Sequence, residues 1–189
     1  MKGKRGFTLI EMVVVLAVVA ILAAILVPTI ERNISDAKIA RANNEVQVLA
    51  AAMASFYKDV GFWPHYSNYN TDATVDFLVS NDGSEGDGTT YDWWPTSSRD
   101  TFENQLISNA PGYERCAADT QENCWKGPYI ADVKADPWGH RYSSNVSHYA
   151  DNYALWVYSA GPNGIAETNP DQTRDGAALS NDDIGVRLR

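Results

Sequence analysis

Hydrophobic positions follow three successive patterns along the chain. From residue 12 to residue 27 every position is Met, Val, Leu, Ala or Ile, without a polar or charged side chain. With Phe7 and Ile30 as its limits, the stretch 7–30 counts 24 residues. A helix of that length rises about 36 Å, enough to cross a hydrocarbon core of about 30 Å. The pattern predicts a membrane span. Beyond Pro28 the apolar positions thin to Ile39, Ala42, Val46, Leu49, Met53, Phe56 and Val60, at steps of three and four, with Arg41, Asn44, Glu45, Gln47 and Lys58 elsewhere on the wheel. The same helix is therefore expected to continue as an amphipathic one through residues 31–61. Pro28 has no amide hydrogen to donate and should kink the helix rather than end it, since membrane spans tolerate proline best. Gly61 offers the left-handed residue that closes helices.

In the third pattern, turn formers come first and strands afterwards. Pro64, Gly83, Gly86, Gly88, Pro95 and Pro111 punctuate residues 62–125, which reads as a loop-rich, variable region. Within it, 81–88 is an acidic surface loop without the spacing of a helix-loop-helix calcium motif, and 99–107 reads as a short helix begun by Ser97 or Ser98. In the closing region, 126–189, the segments 126–130, 141–142, 153–159 and 184–188 read as strands, with the turn Asp136-Pro137-Trp138-Gly139 between the first two. The helical stripe could serve a coiled-coil seam or a sheet; the strands and its mixture of small and large side chains favour the sheet. The expected fold is α+β, a long N-terminal helix, transmembrane and then amphipathic, packed on a small antiparallel sheet.

Charge orients this arrangement. Lys2, Lys4 and Arg5 precede the span and no acidic residue does, which places the N-terminus in the cytoplasm and the remainder outside. An ordinary secretory signal carries small residues after its apolar core. Here Ile25-Leu26-Val27-Pro28 ends the run, and the small residue is Gly6, ahead of it. Processing at Gly6 would remove residues 1–6 as a leader and keep the span. Glu11 is the exception in the apolar stretch: an acid at the centre of a membrane helix costs about 2.5–3.5 kcal/mol and ordinarily has a partner. Cleavage would create one, the α-amino group of Phe7. Both groups sit at the leading end of one helix, so a neighbouring molecule shifted along its axis is the better donor of that amine. The other reading is a glutamate resting in the headgroup region.

Lys4-Arg5-Gly6-Phe7-Thr8-Leu9-Ile10-Glu11, the apolar run and Pro28 together resemble the class III signal of type IV pilins and type II secretion pseudopilins. The resemblance implies cleavage between Gly6 and Phe7 by an inner-membrane prepilin peptidase, N-methylation of Phe7, and a filament core in which Glu11 meets the Phe7 amine of a neighbour. Tyr57-Lys58-Asp59-Val60-Gly61, Trp63-Pro64, Gly127-Pro128-Tyr129-Ile130, Asp136-Pro137-Trp138-Gly139, Tyr158-Ser159-Ala160-Gly161-Pro162-Asn163-Gly164 and Asp182-Asp183-Ile184 resemble the major pseudopilins more than adhesive pilins. The likeness covers residues 1–64 and 126–189. It implies a helical spine, a small antiparallel sheet and a calcium-binding loop near the C-terminus.

Composition narrows the chemistry. The 189 residues carry a net charge of −9, and loss of the leader leaves 12 basic against 24 acidic residues, or −12. Nucleic-acid binding is disfavoured, because a phosphate backbone selects basic patches, whereas the same acidity suits cations. Between Ser159 and Ile184 lie Asn163, Glu167, Asp171, Asp175, Asp182 and Asp183, among Gly161, Gly164 and Gly176. Calcium takes roughly six to eight hard oxygens from such a flexible loop. By resemblance the ligands are side-chain oxygens of Asn163 and Asp183, with Asp182, Asp175 and carbonyls near Ser159 as further candidates. Asn163 stands where the family often has Asp, which would weaken the site by one charge. A merely solvated acidic loop is the alternative.

Cys116 and Cys124, exported, would allow a disulfide closing a short surface loop; a metal or redox pair is disfavoured by the absence of C-x-x-C and of a nearby His. Enzyme signatures such as G-x-S-x-G and H-E-x-x-H are missing, and His65, His140 and His148 lack ligand spacing. Trp93 and Trp94 suit either a sugar-stacking platform or the seal of a small core.

The leading expectation is a non-enzymatic structural subunit. It would polymerise into a periplasmic filament that drives folded exoproteins across the outer membrane, with further copies, a prepilin peptidase, minor pseudopilins and an inner-membrane assembly platform as partners. A surface type IV pilin for adhesion, motility or DNA uptake is the alternative. A membrane-anchored carbohydrate-binding or hydrolytic domain is a distant third.

Overall fold

A computed structural model describes residues 6–85, 98–118, 121–147 and 152–189. Lys2, Lys4, Arg5, Gly86, Gly88, Trp93, Trp94, Pro95, Ser97 and His148 lie outside the described residues. Helix α1 runs Leu9–Val60, 52 residues with Pro28 inside. The chain divides into two units, Met1–Lys38 and Ile39–Arg189, with α1 contributing to both.

In the first unit α1 exposes its apolar side chains all round, Leu9 and Ile10 as much as Leu22 and Ile25. It is, among the described residues, the one helix long and apolar enough to cross a membrane, and none of its most apolar window is covered by the rest of the chain. Just after Pro28, the Thr29 hydroxyl donates to the Ile25 carbonyl at 3.2 Å. Threonine hydroxyls commonly bond back one turn in this way.

In the second unit α1 buries Ala42, Val46, Leu49, Ala50, Ala52, Met53, Phe56 and Val60. These are largely the stripe that the three-and-four spacing predicts. Gly61, at φ +91°, ends the helix, its N–H donating to the Tyr57 carbonyl at 2.8 Å. Seven short strands follow: β1 (Tyr66–Asn68), β2 (Ala73–Thr74), β3 (Phe77–Val79), β4 (Arg99–Thr101), β5 (Ser143–Asn145), β6 (Trp156–Ser159) and β7 (Ile184–Arg187). β1 and β2 form a small hairpin, and the others make one sheet in the order β4-β3-β5-β6-β7. Every pair in that sheet is antiparallel except β3 with β4, which run parallel with Leu78 opposite Asp100.

Several local expectations are corrected. Residues 126–130 form no strand. Pro128 has no N–H to give a ladder, and the Tyr129 N–H donates to the Leu106 carbonyl instead. The expected helix at 99–107 splits, with β4 first and then a helical turn, Asn104–Ser108, whose Asn104 N–H is capped by the Thr101 hydroxyl. The strand expected at 141–142 begins two residues later, at Ser143. Residues 62–125 also supply β3, an inner strand of the main sheet, so this region is part of the framework and not only a surface loop.

Alternation along β6 separates two cores. Leu155 and Val157 join Leu78, Ile184 and the buried stripe of α1, while Trp156 and Tyr158 face Ala154, Ala160 and Ala166 on the other side, packed by Ala177 and Leu179. The chain between β6 and β7 thus covers the sheet face opposite the helix.

A disulfide joins Cys116 to Cys124, and the Cys124 N–H donates to the Asp59 carbonyl at the end of α1. Beside it the Arg115 guanidinium stacks 4.4 Å over the Trp125 ring. Replacing both cysteines by serine is expected to cost about 2–3 kcal/mol, the loop-closure value for so short a ring. A thermal midpoint indistinguishable from that of the parent chain would contradict it.

Candidate functional site

Two places carry the chemistry that the sequence singles out. At the start of α1, Thr8 is the N-cap and Glu11 the third helical residue. The Thr8 N–H and hydroxyl both donate to Glu11 Oε2, at 2.8 and 2.7 Å, and the Glu11 N–H donates back to the Thr8 hydroxyl at 3.3 Å. This is a reciprocal capping box, in which side chains satisfy donors that a helix end leaves open. Thr8 was not anticipated, although the Thr-x-x-Glu spacing announces it. Both bonds use Oε2; among the described residues Oε1 has no hydrogen bond. Phe7 is 82% exposed.

The second place is the chain between β6 and β7. Asp183, immediately before β7, is buried, and its Oδ2 accepts the N–H groups of Glu167 at 3.0 Å and Thr168 at 2.6 Å. Its other oxygen, Oδ1, is buried without a hydrogen-bond partner. Burial pushes the Asp183 carboxyl above its usual range, against bonds from Thr168 and Glu167 that pull it down. Asp182 holds Asn163 from two sides, accepting its backbone N–H at 3.0 Å and its side-chain Nδ2 at 2.6 Å. Asn163 Nδ2 also reaches Glu167 Oε2 at 3.4 Å, and Asn163 Oδ1 accepts the Ile165 N–H at 2.7 Å.

Of the predicted ligands, then, Asn163, Asp182 and Asp183 come together with Glu167. Ser159 turns its hydroxyl elsewhere, donating to Asp136 Oδ2 at 2.5 Å while accepting the Gly161 N–H at 3.1 Å. Asp175 is exposed in the turn before Gly176 and, among the described residues, has no hydrogen bond to the others. Asp136 was not anticipated as a tie. Its Oδ1 accepts the N–H groups of Trp138 and His140, which folds the Asp-Pro-Trp-Gly turn and fastens it to the end of β6 through Ser159.

A calcium ion is compatible with part of this donor set. An unpartnered, buried carboxylate oxygen is costly, and a bound cation relieves it. The available groups are hard oxygens of the kind calcium takes. Among the described residues no three His, Cys, Asp or Glu side chains gather as a metal cage. The Asn163 amide oxygen and backbone carbonyls would therefore have to complete the shell around Asp182 and Asp183.

Comparison with known proteins agrees with this layout. A family model described as the prokaryotic N-terminal methylation motif matches residues 1–27, and one described as type II secretion system (T2SS), protein G matches residues 114–175. The type II secretion system core protein G of Klebsiella pneumoniae is 25% identical over 90% of this chain and 94% of its own length. Its Escherichia coli K12 counterpart is 27% identical over 92% of each. Fimbrial protein EcpC of Eikenella corrodens is 36% identical, but over only 32% of this chain and 40% of its own. No solved structure matches.

A methylation-motif helix joined to a small sheet defines a pilin-like protein. Within that class the relatives that this chain resembles nearly end to end are the type II secretion system core proteins G.

Proposed function

We propose that this chain is the principal filament-forming subunit of a type II secretion pseudopilus, whose growth helps drive folded exoproteins across the outer membrane. The observation that carries the reading is one chain holding both the methylation motif over residues 1–27 and the protein G match over 114–175. In this reading a prepilin peptidase cuts between Gly6 and Phe7, Phe7 is N-methylated, and Glu11 receives the Phe7 amine of a neighbouring copy. The basic leader residues orient the span with its N-terminus in the cytoplasm and the sheet unit in the periplasm. An inner-membrane assembly platform and minor pseudopilins complete the machinery. Fimbrial relatives support a surface pilus less well, because their likeness covers no more than 38% of the chain. Deleting the gene is expected to abolish exoprotein release into the medium. Normal release with lost twitching or attachment would favour the pilus.

Calcium belongs to the same proposal, held by Asp183 and Asp182 with Asn163 Oδ1 and backbone carbonyls. When bound, it would neutralise the buried Asp183 charge and brace the loop. A ligand at about a hundred times its Kd stabilises the folded state by about 2.7 kcal/mol. For a domain of this size that is a midpoint shift of roughly 5–10 °C. The detergent-solubilised chain should therefore melt several degrees higher in millimolar calcium than in chelator, and Asp183→Ala should erase the difference. Equal midpoints for the parent chain in the two buffers would remove the site.

A further inference from the structure

Asn163-Gly164 is the sequence's single Asn-Gly pair, and the fold holds it in a turn closed by the Asn163 side chain. Asn163 is exposed, and its Oδ1 accepts the Ile165 N–H at 2.7 Å. That bond closes a ring containing both the Asn163 side-chain carbonyl carbon, Cγ, and the Gly164 nitrogen, so the turn folds the amide back over the next peptide. The amide nitrogen, Nδ2, sits between two carboxylates, 2.6 Å from Asp182 Oδ1 and 3.4 Å from Glu167 Oε2. Gly164 is at φ +70°, and a Cβ there would lie 2.7 Å from His140 Nε2, so the packing itself requires the residue that hinders attack least. The Gly164 N–H is tied only by a long bond, 3.3 Å, to the Gly161 carbonyl.

We propose that Asn163 is a self-modification site, at which the folded loop converts the asparagine into an aspartate by deamidation. The Gly164 nitrogen adds to Asn163 Cγ, and negative charge develops on Oδ1, where the Ile165 N–H is already placed as a donor. The bond from Cγ to Nδ2 then breaks. The departing nitrogen takes up the proton lost by Gly164 and leaves as ammonia, initially beside Asp182 and Glu167. Water opens the resulting cyclic imide at either carbonyl, giving aspartate or isoaspartate at position 163. No oxidant or reductant takes part. The aspartate product supplies a third carboxylate beside Asp182 and Asp183, a charge the loop lacks as synthesised. This consequence for cation binding rests on the calcium reading above; the conversion itself does not.

The test uses the full chain in detergent, aged at mildly alkaline pH in water enriched in heavy oxygen, with a portion unfolded in urea as reference. Peptide mapping is expected to show the Asn163 peptide gaining about 1 Da beyond the incorporated label, as hydrolysis of an amide requires, with one heavy oxygen, and faster in the folded chain. An Asn163 amide that survives in the folded chain while the urea-treated portion converts overturns the proposal, since the fold would then protect the residue. Calcium titration of the fresh chain and of Asn163→Asp separates the two readings. Tighter binding by the variant, by about tenfold, which is about 1.4 kcal/mol, supports the consequence drawn here. Conversion without calcium binding by either form retains the modification and overturns the calcium site.

Discussion

Glu11→Val is expected to insert into the membrane as well as the parent chain and to yield at least tenfold less filament. Valine removes the cost of placing an acid in the apolar segment, so insertion has no reason to suffer. Assembly does: truncating one member of a buried charge pair costs about 2–5 kcal/mol per contact, which exceeds a factor of ten in association. The capping box supplies the control. Thr8 donates twice to the Glu11 carboxylate, so valine removes a helix cap as well as a charge. Glu11→Gln keeps a capping side chain of similar shape and loses only the charge, and Thr8→Ala weakens the cap at about 0.5–2 kcal/mol while keeping the acid. If charge pairing drives assembly, Gln behaves like Val and Thr8→Ala remains near the parent. Filament recovered by electron microscopy in parental amounts from Glu11→Val or Glu11→Gln would end the pairing argument.

Phe56→Ala is expected to be among the most damaging single substitutions in the second unit. Phe56 is fully buried and meets Tyr113 and Tyr129 edge-on, with ring centroids at 5.0 and 5.6 Å, so it joins α1 to chain on both sides of the disulfide. Removing a buried phenylalanine costs about 3–5 kcal/mol, including the cavity it leaves, and aromatic edge contacts add to its area term. For a unit of about 150 residues this lowers the thermal midpoint by roughly 6–20 °C. The span lies outside that unit, so membrane insertion should be unchanged. A midpoint within two or three degrees of the parent would show that the neighbouring rings close the gap.

Much of this architecture was legible because it rests on periodicity. The stripe from Ala42 to Val60 follows from helical geometry alone, and Gly61 ends the helix with the positive φ that glycine accepts readily. Residues 62–125 were not legible. β3 is only three residues long, and β4 pairs with it in parallel, so neither shows the alternation that marks a longer strand. What holds that region is a buried polar junction. Gln105 donates to Asp100 and to the Tyr66 carbonyl and accepts from the Tyr113 hydroxyl, joining segments 47 residues apart. No local pattern announces such a junction. At the candidate loop the acids were visible as residues, but their assignments were not. Ser159 serves the Asp136 turn, and Glu167 lies beside Asn163, because the return of the chain to β7 decides which groups meet.

The segment between β6 and β7 also acts as a roof. Ala166, Ala177 and Leu179 close over Trp156 and Tyr158, so one stretch of chain has to satisfy a shape on its inner side and a charge pattern on its outer side. A version trimmed for compactness would lay bare an indole and a phenol ring together, the sort of greasy patch through which unrelated molecules adhere. Tolerance to insertion or deletion is accordingly lower here than a glycine-rich, acidic stretch would suggest.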